Sequence, residues 1–319
     1  MITLQGLTKR YGDRTAVSDL SVTVDGGRVT GFLGPNGAGK STTMRMIMGL
    51  DRPTAGRALV NGRPYAELAH PLREIGALLD ARALHPGRSA RAHLRALARS
   101  NGIPARRVAE VLELVGLTAV AGQRAGSFSL GMGQRLGIAG ALLGDPAAVV
   151  FDEPVNGLDP DGVRWIRGLA RSLAAEGRTV LVSSHLMGEM QLTADRLVVL
   201  GRGRLIADTS VRELIERSGP RAVLVRGPEP ADVRRLHDRL TEWRVPVRRE
   251  GDDGLHVCEL TTAQVSDLAH DLGIRLHEVR TLEASLEQAY LELTSGSVEF
   301  GSPSSAGSGS GTGGERGLR

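Results

Sequence analysis

The sequence predicts an α/β fold built on a parallel sheet, and three observations carry that expectation. Apolar runs of strand type, 29–33, 147–151, 179–183 and 196–200, recur along the chain. Segments with helical periodicity lie between them, and this alternation implies a parallel sheet wrapped on both faces. The first run enters a glycine-rich loop, and the second ends in Asp152-Glu153. In open α/β sheets, ligands bind at such carboxyl ends of strands.

With 319 residues, the chain is long enough for one large or two modest domains with a substantial core. Charged residues make up 24% and hydrophobic ones 41%, as in soluble globular proteins. No run approaches the roughly 18 apolar residues of a membrane span. The start, Met1-Ile2-Thr3-Leu4-Gln5, lacks the pattern of a secretory signal. Cys258 is the one cysteine, which excludes an internal disulfide and fits a reducing cytoplasm. The expectation is a soluble, intracellular protein. The net charge is +4, and nearly all the positive charge is arginine; Lys9 and Lys40 are the only lysines. That bias reads as codon usage in a GC-rich genome, so the basic balance does not argue for nucleic-acid binding.

In order, 2–7 and 16–24 alternate as strands joined by the turn Tyr11-Gly12-Asp13-Arg14. A helix is expected over 42–50, a strand over 57–60 closed by Asn61-Gly62, and an apolar strand over 75–80 ending in Asp80. Residues 86–143 turn helical and arginine-rich. Leu94, Leu97 and Ala98 give one apolar face, and Val108, Val111, Leu112 and Val115 another. This reads as a helical insertion with a solvated arginine face. The helix 136–143, the strand 147–151, the helix 161–176, the strand 179–183, the helix 186–193 and strands 196–200 and 204–207 complete the first unit. Residues 208–220 read as a helix and linker stopping at Gly219-Pro220. Beyond them the order is β-α-β-β-α-β, the split order of a ferredoxin-like unit, followed by an amphipathic helix over 282–293. Residues 296–319 are rich in glycine and serine without apolar periodicity, so a disordered tail is expected.

The chemistry concentrates after the first buried strand. Gly34-Pro35-Asn36-Gly37-Ala38-Gly39-Lys40-Ser41, followed by Thr42, has the form G-x-x-x-x-G-K-S. Its glycines let successive N–H groups point at a β-phosphate, and the helix beginning near Lys40 adds its dipole. Lys40 would reach the β- and γ-phosphates, and the Ser41 hydroxyl would hold Mg²⁺. Asp152 would engage Mg²⁺, while Glu153 would polarise an attacking water. His185, at the end of the next strand, is placed to sense a γ-phosphate. Tyr11 offers a ring for an adenine face, with an exposed turn tyrosine as the plain alternative. In Phe128-Ser129-Leu130-Gly131-Met132-Gly133-Gln134-Arg135, immediately before a helix, Ser129 is either an N-cap or a second anion contact.

These motifs in this order resemble the ATP-binding subunit of ATP-binding-cassette (ABC) transporters, over roughly residues 2–215. The phosphate loop, the Walker B run 149–153, Asn156-Gly157-Leu158-Asp159 and His185 carry the likeness. The resemblance implies a P-loop NTPase (RecA-like) core with an antiparallel β subdomain and a helical insertion at about 86–143. That ATP-binding domain would span 1–219, with a small α+β accessory domain at 220–295. It implies ATP and Mg²⁺, with two copies paired head to tail. Ser129 and Gly131 would then bind the partner copy's γ-phosphate, Asp159 would support the interface, and Tyr11 would stack on adenine. Two departures stand out. Met132 occupies the last position of the signature, usually glutamine, and Asp80 replaces the usual glutamine after the Ile75 strand. Asp80 is carried as a candidate metal ligand in that glutamine's place. The variants resemble the drug-exporter branch that serves ABC-2-type membrane permeases. The expected product is an ATPase driving export of a drug or lipid-like compound from the cytoplasmic face of the membrane, with no nucleic acid involved. The alternative is a soluble ABC-family ATPase acting on nucleic acid or ribosomes.

Overall fold

The amino-terminal alternation folds as a hairpin: β1 (Ile2–Tyr11) and β2 (Arg14–Val24) pair antiparallel across Gly12-Asp13. This is a computed structural model, and it describes residues 1–81, 83–217, 222–282 and 285–294. The expected stop at Gly219-Pro220 and the tail at 296–319 lie outside the described residues. β3 (Arg28–Leu33) leads through the glycine-rich loop into α1 (Lys40–Ile47), and β4 (Ala55–Val60) returns to pair with β1. The result is a three-stranded antiparallel sheet, β2-β1-β4.

A short helix, α2 (Pro71–Glu74), precedes β5 (Ile75–Leu78), which ends before Leu79 and Asp80. The helical insertion follows as α3 (Ala90–Ser100), α4 (Arg106–Leu114) and α5 (Leu130–Leu142). The apolar faces read from the sequence are the ones buried: Leu94 and Ala98 on α3, and Val108, Val111 and Leu112 on α4. Of the boundaries that differ, the start of α5 moves furthest. The helix expected from Leu136 starts at Leu130, because Ser129 caps it by accepting the Met132 N–H at 3.2 Å.

The remaining strands of the large sheet are β6 (Ala148–Phe151), β7 (Thr179–Ser184), β8 (Arg196–Gly201) and β9 (Arg204–Ser210), with α6 (Pro160–Ala175) and α7 (Met187–Thr193) between them. The six-stranded order is β5-β6-β7-β3-β8-β9, parallel except for the antiparallel pair β8–β9. Period-2 alternation divides each strand between two cores. Val149 and Phe151 face the helical layer, whereas Ala148 and Val150 face the opposite side with Phe32 and Leu181. That second side is covered by the antiparallel sheet and α1, through Ile2, Leu4, Leu7, Val22, Met44 and Ile47. Helices therefore wrap one face, and a sheet with a single helix wraps the other.

After α8 (Val211–Arg217) comes a second unit with its own core: β10 (Ala222–Arg226), α9 (Pro230–Glu242), β11 (Val247–Glu250), β12 (Gly254–Val257), α10 (Thr262–Asp271) and β13 (Glu278–Leu282). Its antiparallel order, β11-β12-β10-β13, is the split ferredoxin-like arrangement. Thr261 and Gln264 form a capping box at the start of α10. The last helix, α11 (Leu286–Thr294), returns to the first unit and packs on α7 and α8. Leu286, Ala289 and Tyr290 are buried there in one core with Val211 and Leu214.

Candidate nucleotide site

The carboxyl ends of β3, β6 and β7 lie side by side, and the loop after β3 curls across them. Gly39 closes that loop with a φ of 101°, and a Cβ there would stand 2.7 Å from the Ala16 carbonyl oxygen. Only glycine satisfies both the conformation and the approach. Gly39 is also the N-cap of α1, so no side chain caps the first N–H groups of that helix. An uncapped helix start with free donors is an anion site in waiting. Lys40 threads beneath the loop, 6% exposed, and its ammonium donates to the carbonyl oxygens of Gly34 (2.7 Å) and Pro35 (3.4 Å). Burial pulls this ammonium below its ordinary pKa, an effect opposed by the nearby carboxylates of Glu153 and Asp152.

A cleft of about 480 Å³ opens over the loop. It is lined by Tyr11, Arg14, Asn36, Gly37, Ala38, Gly39, Lys40, Ser41, Thr42 and Glu153, so most of the residues expected to touch a nucleotide meet in one place. Tyr11 stands at one end. Its hydroxyl donates to Asp51 Oδ2 at 2.9 Å, and the Lys9 ammonium lies 4.8 Å from the ring centre. Arg45 Nε donates to the same Asp51 oxygen at 2.9 Å and holds that carboxyl below its ordinary pKa. The ring is thus anchored at its edge, with one face covered by a cation.

At the other end, the fully buried β6 delivers Asp152 and Glu153. Ser183, at the end of β7, donates its hydroxyl to Asp152 Oδ1 and accepts the Glu153 N–H at 2.9 Å. Glu153 adopts a left-handed backbone, φ 48°, which costs on the order of 1–3 kcal/mol for a residue with a Cβ. Its carboxylate is 2.8 Å from His185 Nδ1 and 3.9 Å from the Lys40 ammonium. A carboxylate, an imidazole and an ammonium therefore converge beside a phosphate cradle. The donors expected to hold a metal, the Ser41 hydroxyl in the cleft lining and the Asp152 carboxylate beside Glu153, are hard oxygens. Among the described residues, no group of three or more His, Cys, Asp or Glu side chains would hold a metal by itself. Sparse oxygen donors beside a phosphate cradle fit Mg²⁺, which keeps waters and shares its shell with phosphates.

Three expected residues lie elsewhere in the chain. Ser129 is exposed and serves as the N-cap of α5, lining a separate depression with Phe128 and Leu130. Gly131 lies in the first turn of that helix, against Leu158. Asp159 caps α6, accepting the Gly162 N–H at 2.8 Å. The loop before it is locked onto α5, since a Cβ on Gly157 would overlap the Leu130 side chain at 2.0 Å. Asp80 is a fourth. It is exposed and lines a groove of about 530 Å³ with Leu72, Leu79, Leu84 and Leu97, apart from the residues lining the phosphate cleft.

Sequence reasoning missed the supports. Ser183 had its signal in standing near the end of β7, two residues before His185. Arg14 was seen only as a turn residue. Asp51 gave no local hint, because it reaches Tyr11 across forty positions, and Arg45 acts only through Asp51.

A family model described as "ABC transporter" matches residues 17–156. Over 300 residues the chain is 39% identical to YhcH of Bacillus subtilis (strain 168), an uncharacterized ABC transporter ATP-binding protein, covering 92% of this chain and 96% of that one. The chain belongs to the ABC transporter ATP-binding family. This ABC cassette is also 38% identical over 300 residues to Nod factor export ATP-binding protein I of Burkholderia lata, covering 92% of this chain and 96% of that one. The dimeric structure of MJ0796, a bacterial ABC transporter cassette, matches with a TM-score of 0.60 and 25% identity, covering 66% of this chain and 98% of that chain. Residues 221–287 of the cassette match a second model, "Domain of unknown function (DUF8746)". Among the described residues, no helix is long and apolar enough to cross a membrane.

Proposed function

We propose that this ABC cassette binds ATP with Mg²⁺, hydrolyses the γ-phosphate, and thereby powers export through a separate ABC-2-type permease. The observation that carries the reading is the cleft in which Tyr11, the phosphate loop, Lys40 and Glu153 meet, with His185 on the Glu153 carboxylate. The loop N–H groups and Lys40 hold the β- and γ-phosphates, and Tyr11 stacks on the base. Glu153 orients and polarises the water that attacks in line, while His185 contacts the γ-phosphate from the far side of the carboxylate. Ser41 and Asp152 would hold Mg²⁺, which supplies charge neutralisation at the phosphates. Asp80 is left out of that set because it lines the groove.

Two copies complete the site. Ser129 and Gly131 are remote from their own chain's cradle and sit at an outward-facing helix start, which suits a γ-phosphate held by a partner copy. Asp159, on the loop locked to that helix, belongs to the same interface. The dimeric form of the similar cassette supports this pairing. The permease would seat in the apolar groove lined by Leu72, Leu79, Leu84 and Leu97, between β5 and the helical insertion. The export relative supports the direction of transport, and such a subunit would work at the cytoplasmic face of the membrane.

The test is Glu153→Gln. The substituted chain should bind ATP with native affinity, collect as an ATP-loaded dimer, and lose turnover by roughly a hundredfold or more. Hydrolysis at the native rate in that variant would refute the role given to Glu153.

A further inference from the structure

We infer that Gln134 is a positioning residue that fixes the Glu153 peptide and so aims its carboxylate, an inference that rests on the proposed role of Glu153. Gln134 lies on α5, one turn beyond the Ser129 cap, and is 3% exposed. Its Nε2 donates to the Glu153 carbonyl oxygen at 3.2 Å. A buried amide aimed at one particular backbone carbonyl, across a sequence separation of nineteen residues, is a specific use of a polar side chain.

Glu153 needs such a hold. Its backbone is left-handed, φ 48°, a conformation that a residue with a Cβ keeps only when its surroundings over-determine it. The peptide is gripped on both sides. The sheet side supplies Ser183, whose hydroxyl accepts the Glu153 N–H at 2.9 Å. The helical side supplies Gln134. The Asn156 N–H also donates to the Glu153 carbonyl oxygen, at 3.2 Å, so the turn keeps one partner when the amide is removed. What the amide adds is a direction fixed by α5 rather than by the turn. With both grips in place, the carboxylate rests 2.8 Å from His185 Nδ1 and 3.9 Å from the Lys40 ammonium.

The placement has a mechanical consequence. α5 carries Ser129 at its start and Gln134 five residues on, so one rigid helix touches both the surface offered to a partner's nucleotide and the backbone of the local water-activating carboxylate. Movement of that helix changes both together. The same helix holds the loop after Glu153 by packing Leu130 on Gly157.

The experiment uses the full chain with Gln134→Met, which keeps length and removes the donor, and Gln134→Glu, which keeps shape but accepts instead of donating. Steady-state ATP hydrolysis is measured in Mg²⁺, with Glu153→Gln as reference. The expected result is a fall in kcat on the order of tenfold to a hundredfold with KM for ATP unchanged, since the phosphate loop is untouched. Ser183→Ala releases the opposite grip and Asp152 with it, so it should lower kcat as well and is read for kcat alone. Native kcat in both Gln134 variants, while Glu153→Gln is inactive, would overturn the inference and leave the Glu153 reading standing. A parallel rise in KM, or failure of both variants to fold, would make Gln134 a plain core residue and overturn it equally. If Glu153→Gln itself turns over normally, it is the Glu153 reading that fails.

Discussion

Lys40 and Lys9 are the only lysines in a chain that elsewhere uses arginine; Lys40 lines the cleft and Lys9 lies over the ring of Tyr11, which lines it too. Lys40 was legible because a flexible stem with a compact charge suits a narrow phosphate loop better than a planar fork. Tyr11 was legible only as one of two options, and it lines the cleft. What holds the ring could not be read, because Asp51, itself held by Arg45, accepts from the Tyr11 hydroxyl across the fold at 2.9 Å. The prediction at this scale concerns that ring. A base stacked on an aromatic side chain contributes about 1–3 kcal/mol, so Tyr11→Ala should weaken ATP by roughly five- to a hundred-and-fifty-fold. Inorganic triphosphate, which has no base, should bind the variant as it binds the native chain. Asp51→Ala, which frees the ring without removing it, should lose less. Titration with both ligands checks this, and equal losses for ATP and triphosphate would move Tyr11 out of the base site.

Among the elements, the buried strands were the most readable and the glycine-rich helix start the least. Ala148–Phe151 reads as a core strand from composition alone, and it is buried on both faces. By contrast, the start of α5 contains Gly131 and Gly133, which are poor helix formers and look like loop. The Ser129 cap, local but legible only as one of two options, and the packing of Leu130 on Gly157, which is not local in sequence, make it helical. The closing helix was recognised, but its partner was not. Its apolar face fits the core of the first unit through Leu286, Ala289 and Tyr290, and Gln191 of α7 accepts the Leu286 N–H at 3.0 Å. Leu286 is completely buried, so Leu286→Ala should destabilise by about 2–5 kcal/mol. The two tryptophans divide between the units, Trp165 on α6 and Trp243 beyond α9, so Trp243→Phe leaves a reporter in the first unit alone. In that background, Leu286→Ala should lower the urea midpoint seen by Trp165. An unchanged midpoint would mean that α11 adds nothing to the first unit's stability.

At the scale of the whole molecule, the spacing between Ser129 and the cradle becomes a statement about assembly. A single chain gathers Tyr11, Lys40 and Glu153 in one cleft, yet keeps Ser129 in another depression. If Ser129 serves a partner's nucleotide, damage to the two halves need not fall on the same site. Lys40→Ala disables the cradle of its own chain but leaves its Ser129 intact. Ser129→Glu places a like charge where the partner's γ-phosphate would sit, yet leaves its own cradle whole. Each variant alone makes dimers in which both sites are broken. A mixture makes some dimers in which one site pairs the intact Lys40 of one chain with the intact Ser129 of the other. Mixing the two inactive proteins should therefore restore ATP hydrolysis to a fraction of the native rate. Restoration should grow with the share of mixed dimers and vanish when dimerisation is blocked. If each chain instead built its site from its own Ser129, mixing would restore nothing at any ratio. Steady-state hydrolysis across a mixing series distinguishes the two outcomes.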